Sequence, residues 1–257
     1  MKSILLVLLV PFIVFAETEP AKEAAETKFN NESELSLIQT GGNSTVETYN
    51  GKTKSTWTKG KRIYSFGGHY TLGYSEVTDD TTGDDEKKEN VRNWDVNGRY
   101  EQVLSKSING FSAVKYEGDE FSGYKQRENL DIGLKYIISN TDTTKSSFEL
   151  GARYTIEKSI TRDEDNEDVF NYTKARMYYE VTYTQSKTVV YKFWTEYLPN
   201  FTESDDYLVT YEPSVALALS NTFSLKTSYK AVYDNQPNIE GNENTDYTFT
   251  TSLLAKF

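Results

Sequence analysis

The sequence predicts an all-β protein, an antiparallel transmembrane β-barrel of about twelve strands in an up-and-down meander. Three features carry the prediction: alternating segments along most of the chain, an N-terminal export signal, and a final strand ending in Phe257. Alternation with period 2 suits a strand with one face toward lipid and the other toward a polar lumen. A water-soluble β-sandwich is the alternative, because alternation alone does not distinguish a core from a lipid face.

The N-terminal segment has the pattern of a secretory signal peptide. A positive charge at Lys2 precedes an apolar stretch over residues 4–15, with a small-residue cleavage site after Ala16. The stretch is too short for a bilayer span, which takes about 20 residues, although an uncleaved anchor is the alternative. The predicted organisation is a signal peptide at 1–16, a periplasmic N-terminal tail at 17–30 and a barrel at 31–257.

The composition fits a barrel and excludes several other classes of protein. The 20 tyrosines suit side chains that place an apolar ring and a wet hydroxyl at a membrane–water boundary. A mean hydropathy of -0.66 is compatible with a membrane barrel because only alternate residues meet lipid. The absence of cysteine excludes disulfides and thiolate metal sites, and the net charge of -11 argues against nucleic acid as a partner.

The alternating segments can be delimited along the chain. In the third, Phe66, Tyr70 and Leu72 share one face, while Ser65, His69 and Thr71 share the other. The fifth segment is the poorest, because Phe111 and Ala113 fall on the polar face. The predicted strands are 31–40, 45–57, 62–77, 90–103, 108–118, 126–139, 145–159, 168–184, 187–200, 206–219, 222–235 and 245–257.

The connections between these strands alternate in length. Short turns such as 58–61 and 140–144 are separated by longer acidic connections at 78–89, 161–168, 201–206 and 237–244. Short turns on one rim and long loops on the other are typical of outer-membrane barrels. With an even number of strands, we expect both termini on the periplasmic rim and the acidic loops outside the cell.

The terminal strand alternates up to the last residue. Counting back in steps of two from Phe257 gives Ala255, Leu253, Thr251 and Phe249, an apolar face. This end resembles the last strand of bacterial outer-membrane barrels. The resemblance implies that the barrel assembly machinery binds the strand ending at Phe257, and that the partners are outer-membrane lipid and lipopolysaccharide.

The predicted lumen face carries both signs of charge in near-equal numbers. Such charges must be paired or hydrated, and a pore strongly selective for one sign would be lined by the opposite sign. The sequence therefore allows a salt-bridged, largely plugged interior or a narrow, weakly selective channel. The basic residues on this face are Lys52, Lys54, Arg99, Lys115, Lys135, Arg153, Lys174, Arg176, Lys192, Lys226 and Lys230, and the acidic ones are Glu34, Asp95, Glu101, Glu117, Asp131, Glu149, Glu157, Glu180, Glu196 and Glu212. Twelve of them are the predicted lumen-lining site: Lys54, Arg99, Lys135, Arg153, Arg176, Lys192, Lys226, Lys230, Glu101, Glu149, Glu180 and Glu212.

Two features could carry chemistry. His69, the single histidine, could act as a general base, but no Ser or Asp motif indicates a partner, and a hydrogen-bonded lumen residue is the favoured interpretation. The acidic runs Asp79-Asp80, Asp84-Asp85-Glu86 and Asp163-Glu164-Asp165 could recruit divalent cations loosely, but the spacing of an EF-hand loop is not met. We predict no catalytic, cofactor-binding or structural metal residues.

The predicted first strand and the turn after it carry a further signal, over residues 33–44 (SELSLIQTGGNS). This segment resembles the start of the YdiY-like family of salt-induced outer-membrane proteins, which opens with an alternating strand and a Thr-Ser-Gly-Asn-type turn. Gly42-Asn43 matches that turn, and Gly41 stands where serine is usual. The resemblance implies an outer-membrane barrel with no established activity.

The favoured function is non-enzymatic: a narrow, weakly selective diffusion channel or an envelope structural protein, because the lumen is balanced and lacks a catalytic constellation. Two alternatives stay open. One is an outer-membrane hydrolase of lipid or peptide that uses His69. The other is a surface binding module that acts through the acidic loops.

Overall fold

A computed structural model describes residues 26–40, 46–78, 85–160, 168–237 and 243–257 of the chain. Within these residues twelve antiparallel strands form one closed barrel, in which every strand pairs with its chain neighbours and β1 closes on β12. The strands are β1 Thr27–Thr40, β2 Val46–Lys59, β3 Arg62–Thr78, β4 Asp85–Val103, β5 Ile108–Asp119, β6 Tyr124–Asn140, β7 Thr144–Ser159, β8 Val169–Thr184, β9 Val189–Pro199, β10 Tyr207–Ala218, β11 Phe223–Asp234 and β12 Thr245–Lys256.

The predicted twelve-stranded up-and-down barrel is confirmed, and the β-sandwich alternative is wrong because the sheet closes on itself. Two boundaries needed correction. β1 begins at Thr27, so residues 27–30, which the sequence assigned to the periplasmic tail, belong to the barrel, where they pair with β2. β4 begins at Asp85 instead of residue 90, because its pairing with β3 continues to Thr78. The predicted signal peptide lies outside the described residues.

The two rims of the barrel differ. The β2–β3 turn is Gly60-Lys61, where a φ of 59° places Gly60 in the left-handed region that glycine adopts without strain. Pairing of Thr27 with Lys59 places the start of β1 at the rim of this turn, and pairing of Glu32 with Lys256 brings the end of β12 to the same side. The longer connections, 79–84 and 160–168 among them, join strands at the opposite rim.

The barrel carries its apolar side chains outside and its polar side chains inside. Leu35 and Ile132, on the outer face, are 68% and 66% exposed. Inside, Glu149, Asp131 and Arg176 are buried. This distribution is the reverse of a soluble core and matches a wall between lipid and a polar lumen. Among the described residues no helix has the length and hydropathy to cross a membrane.

Barrel closure depends on a short seam between the first and last strands. In the described part of the chain, β1 and β12 pair from Glu32↔Lys256 to Leu35↔Leu253. Two backbone hydrogen bonds of 2.9 Å, one in each direction, join Asn31 and Phe257, the next residue pair beyond Glu32 and Lys256. The terminal residue is therefore part of the closing ladder.

Candidate functional site in the barrel lumen

The lumen is lined by every second side chain of the twelve strands. All twelve residues predicted to line it lie on this inner face, but they fall into different environments. Arg99, Glu101, Lys135, Glu149, Arg153 and Arg176 join one network; Lys192 pairs with Glu180, and Lys226 with Glu212. In the described residues Lys54 and Lys230 form no ion pair, so the lumen is not uniformly cross-linked.

The network covers one side of the lumen, and we call it the ion-pair wall. Its members come from six consecutive strands, β4 to β9, and interlock through shared carboxylates. Glu149 accepts hydrogen bonds from Arg99 (Nη2–Oε1, 2.8 Å) and from Arg176 (Nη1–Oε2, 2.6 Å). Glu196 accepts from Arg176 and Arg153, and Asp131 holds Arg153 through two oxygens. The wall consists of Arg99, Glu101, Phe111, Asp131, Lys135, Glu149, Arg153, Arg176 and Glu196.

Phe111 is the apolar member of this wall. Its ring is 4% exposed, and the guanidinium carbons of Arg99 and Arg176 lie 4.0 Å and 5.6 Å from its centroid. The ring fits because Gly133 and Gly151 pair beside it: a Cβ on Gly133 would lie 2.8 Å from the Phe111 ring. Guanidinium groups are attracted to aromatic faces, so the ring supports the arginines that hold Glu149.

A second ion pair bridges the barrel seam. Lys226 on β11 donates to Glu34 on β1 at 3.0 Å, although β12 lies between these two strands. The same ammonium group reaches Glu212 on β10 at 3.3 Å, and Ser252 on β12 donates to Glu34. Four strands around the closing seam are thereby joined on the lumen side.

Three lysines line the opposite side of the lumen with their side chains exposed. Lys52 and Lys54 lie on β2, and Lys230 lies on β11. In the described part of the chain none of the three has a carboxylate within salt-bridge distance. We call Lys52, Lys54 and Lys230 the free lysines. Their exposure inside a closed barrel means that space for water remains beside the ion-pair wall.

His69 has both ring nitrogens engaged. Nδ1 lies 2.5 Å from Oδ2 of Asp95, and Nε2 lies 2.7 Å from Oδ1 of Asn93. A general base needs one nitrogen facing a nucleophile, and these contacts leave neither free. The geometry thus favours the hydrogen-bonded lumen residue over the predicted hydrolase alternative.

The acidic loops contribute little to the described site. Residues 79–84 and 161–167 lie outside the described residues, so loose binding of divalent cations there stays a prediction. In the described ranges, His, Asp and Glu side chains form no group of three that could hold a metal ion.

Sequence reasoning missed one strongly placed residue. Arg127 donates from Nε to Oε2 of Glu157 at 2.6 Å and stacks on the Tyr124 ring at 3.7 Å. The sequence pattern indicates this position, since Arg127 and Lys135 are an even number of residues apart on β6 and therefore lie on the same face of the strand. The contribution of Phe111 could not be derived, because it depends on arginines from two other strands.

Comparisons with known proteins place the chain in a family. The family model described as "Protein of unknown function, DUF481" matches residues 33–257. No curated protein matches the chain. The NanC porin is similar at 10% identity and a TM-score of 0.49, covering 89% of this chain and 98% of its own. An outer-membrane channel from Pseudomonas putida F1 gives 8% identity and a TM-score of 0.49, covering 93% and 99%.

A third similar structure is the KdgM porin in complex with disordered oligogalacturonate. It shares 8% identity, with a TM-score of 0.43 and coverage of 89% of this chain and 96% of its own. All three likenesses are distant. The YdiY-like resemblance stays a prediction.

Proposed function

We propose that this chain, which belongs to the DUF481 family of proteins of unknown function, forms a narrow water-filled diffusion channel in a bacterial outer membrane. The observation that carries the proposal is the contrast across the lumen. Arginines and carboxylates on one side are buried in the ion-pair wall, while Lys52, Lys54 and Lys230 on the other side stay exposed. A barrel filled by salt bridges would leave no such space.

The outer surface supports a membrane location. A closed barrel leaves no unpaired strand edge, so its backbone groups can be satisfied in lipid. Large apolar side chains dominate the outward positions, and aromatic pairs lie toward both rims: Phe29 with Trp57 near the short-turn rim, and Tyr207 with Tyr233 near the long-loop rim. Aromatic girdles of this kind are typical of outer-membrane barrels. The predicted signal peptide fits export.

The unpaired lysines of the lumen favour a conducting channel over a purely structural barrel. Lysines inside a barrel are costly unless they are paired or hydrated, and the free lysines have no carboxylate partner among the described residues. Water that hydrates them must enter the lumen. A structural barrel would gain nothing from keeping this hydrated strip.

Planar-bilayer recording tests the channel directly. Purified, refolded protein should insert with discrete, reproducible current steps in KCl. Folding is checked separately by gel migration before and after boiling, because a closed barrel resists unfolding in mild detergent. Folded protein, shown by a change in gel migration on boiling, that inserts into vesicles but gives no current would contradict the channel proposal. The envelope structural role would then be favoured.

A further inference from the structure

From the free lysines we infer that the channel prefers anions and that its mid-lumen binds a solute carrying two or more negative charges. This inference rests on the proposed channel function and adds to it the charge class of the solute. It replaces the weak selectivity expected from counting charges along the sequence with a preference set by which charges are paired.

Most of the lumen carboxylates in the described strands hold a cation. Nine of them do so with the cation no farther away than 3.3 Å: Glu34, Glu101, Glu117, Asp131, Glu149, Glu157, Glu180, Glu196 and Glu212. The near-equal totals of positive and negative residues therefore do not describe the charge that a solute meets. The charges that stay exposed beside these pairs include Lys52, Lys54 and Lys230, whereas the part-buried carboxylate of Asp95 is held by His69 and Asn97.

The positive charges come together from facing walls. Lys54 on β2 interacts electrostatically with Lys192 on β9 and Lys135 on β6, although Glu180 is also near. Lys230 on β11 interacts with Lys115 on β5 and with Lys52 on β2, and the carboxylates of Glu212 and Glu117, which are paired with Lys226 and Lys115, are also near. Like charges from opposite sides repel across a narrow space, and an anion between them relieves that repulsion. A solute with two or more charges can contact lysines of both walls, which a monovalent ion cannot.

The net charge of -11 for the whole chain does not oppose this assignment. Much of the acidic charge of the chain lies in segments such as 78–89 and 161–168, toward the long-loop rim. Exposed charges are screened beyond about 8 Å at physiological ionic strength, whereas charges crowded in a narrow lumen are screened less. The lumen lysines, and not the rim, should set the preference.

The experiment measures the reversal potential of the refolded channel in a tenfold KCl gradient. Wild type should favour chloride over potassium. The triple variant Lys52→Gln, Lys54→Gln, Lys230→Gln should have a chloride-to-potassium permeability ratio no more than half that of wild type. The triple variant with Lys→Arg at the same three positions should keep the wild-type ratio. Lys187→Gln, in the exposed β9 turn outside the lumen, is the charge control and should leave the ratio unchanged.

Citrate serves as the multivalent probe. Added to one side, it should reduce wild-type chloride current at concentrations at least fivefold lower than those needed in the triple glutamine variant. A cation-selective wild type, or a triple variant with unchanged selectivity and citrate block, would overturn the inference while leaving the channel intact. Absence of current from folded wild type would instead overturn the proposed function. If the triple variant fails the gel test, the single variants provide the same comparison in smaller steps.

Discussion

The guanidinium carbon of Arg99 lies 4.0 Å from the ring centroid of Phe111, inside the lumen. The contact explains why β5 breaks the alternation of apolar and polar residues. Phe111 occupies an inward position as an apolar surface on which two arginines lie, and those arginines share Glu149. The irregular strand is thus the one that supports the ion-pair wall.

Replacing Phe111 should weaken the barrel in two steps. Phe111→Leu keeps apolar bulk but removes the aromatic face, and it should lower the free energy of unfolding by about 1 kcal/mol. Phe111→Ala also leaves a cavity and should cost about 3 kcal/mol. Urea unfolding in lipid vesicles, followed by tryptophan fluorescence, measures both. Two variants as stable as wild type would show that the ring supports nothing.

Neutralising Glu149 should cost more than neutralising Glu180. Glu149→Gln removes the buried negative charge shared by Arg176, which is buried, and Arg99, which is half-buried, and the expected loss in free energy of unfolding is about 3 kcal/mol. Glu180→Gln breaks a more exposed pair with Lys192 and should cost less than about 1 kcal/mol. The same vesicle assay measures both losses of stability. Equal losses would contradict the expectation that the buried ion pairs of the wall contribute more than the exposed pair.

The fold could be predicted from the sequence because its signal is local and repeated. Period-2 alternation in segments such as β3 and the terminal strand ending at Phe257 fixed strand number, facing and closure. The boundaries that moved are at strand ends. Polar residues such as Thr27 and Asp85 give no alternation there, and pairing with a neighbouring strand extends the ladder.

The site could be predicted only in part. The face on which a side chain lies follows from the alternation along its strand, so most charged residues on the inner side could be named, although Arg127 was missed. The ion pairs do not follow from this alternation, because partners such as Lys226 and Glu34 are separated by most of the chain and meet only when the barrel closes. The difference between Lys226, which is paired, and Lys230, which is not, depends on that closure and is invisible in the sequence.

Two positions on opposite faces of β11 should respond differently to mutation. Leu225 faces outward between Leu217 and Leu253, so Leu225→Arg should cost about 2–4 kcal/mol if the site lies near the bilayer centre. Lys230→Gln removes an unpaired lumen charge and should change stability by less than about 0.5 kcal/mol. Refolding yield into vesicles is the measurement. Normal refolding of Leu225→Arg with failure of Lys230→Gln would reverse the facing of β11.

Protease added to intact cells should distinguish the rims. The acidic connections 79–84 and 160–168 join strands at the long-loop rim, which we expect outside the cell, and they should be cut. Lys59 and Lys61 lie at the short-turn rim and should be protected until the outer membrane is opened. Mass spectrometry of the fragments identifies the sites. Cleavage at Lys59 or Lys61 in intact cells would invert the topology.

Site-directed thiol labelling during bilayer recording tests the water-filled lumen most directly. The chain has no cysteine, so Lys54→Cys and Thr53→Cys each introduce a single reactive thiol, one on the lumen face and one on the outer face. A membrane-impermeant methanethiosulfonate carrying a sulfonate should lower the current through Lys54→Cys channels by attaching in the conducting path. Current through Thr53→Cys channels should not change. Unchanged current through Lys54→Cys channels that mass spectrometry shows to be labelled would contradict conduction through this lumen.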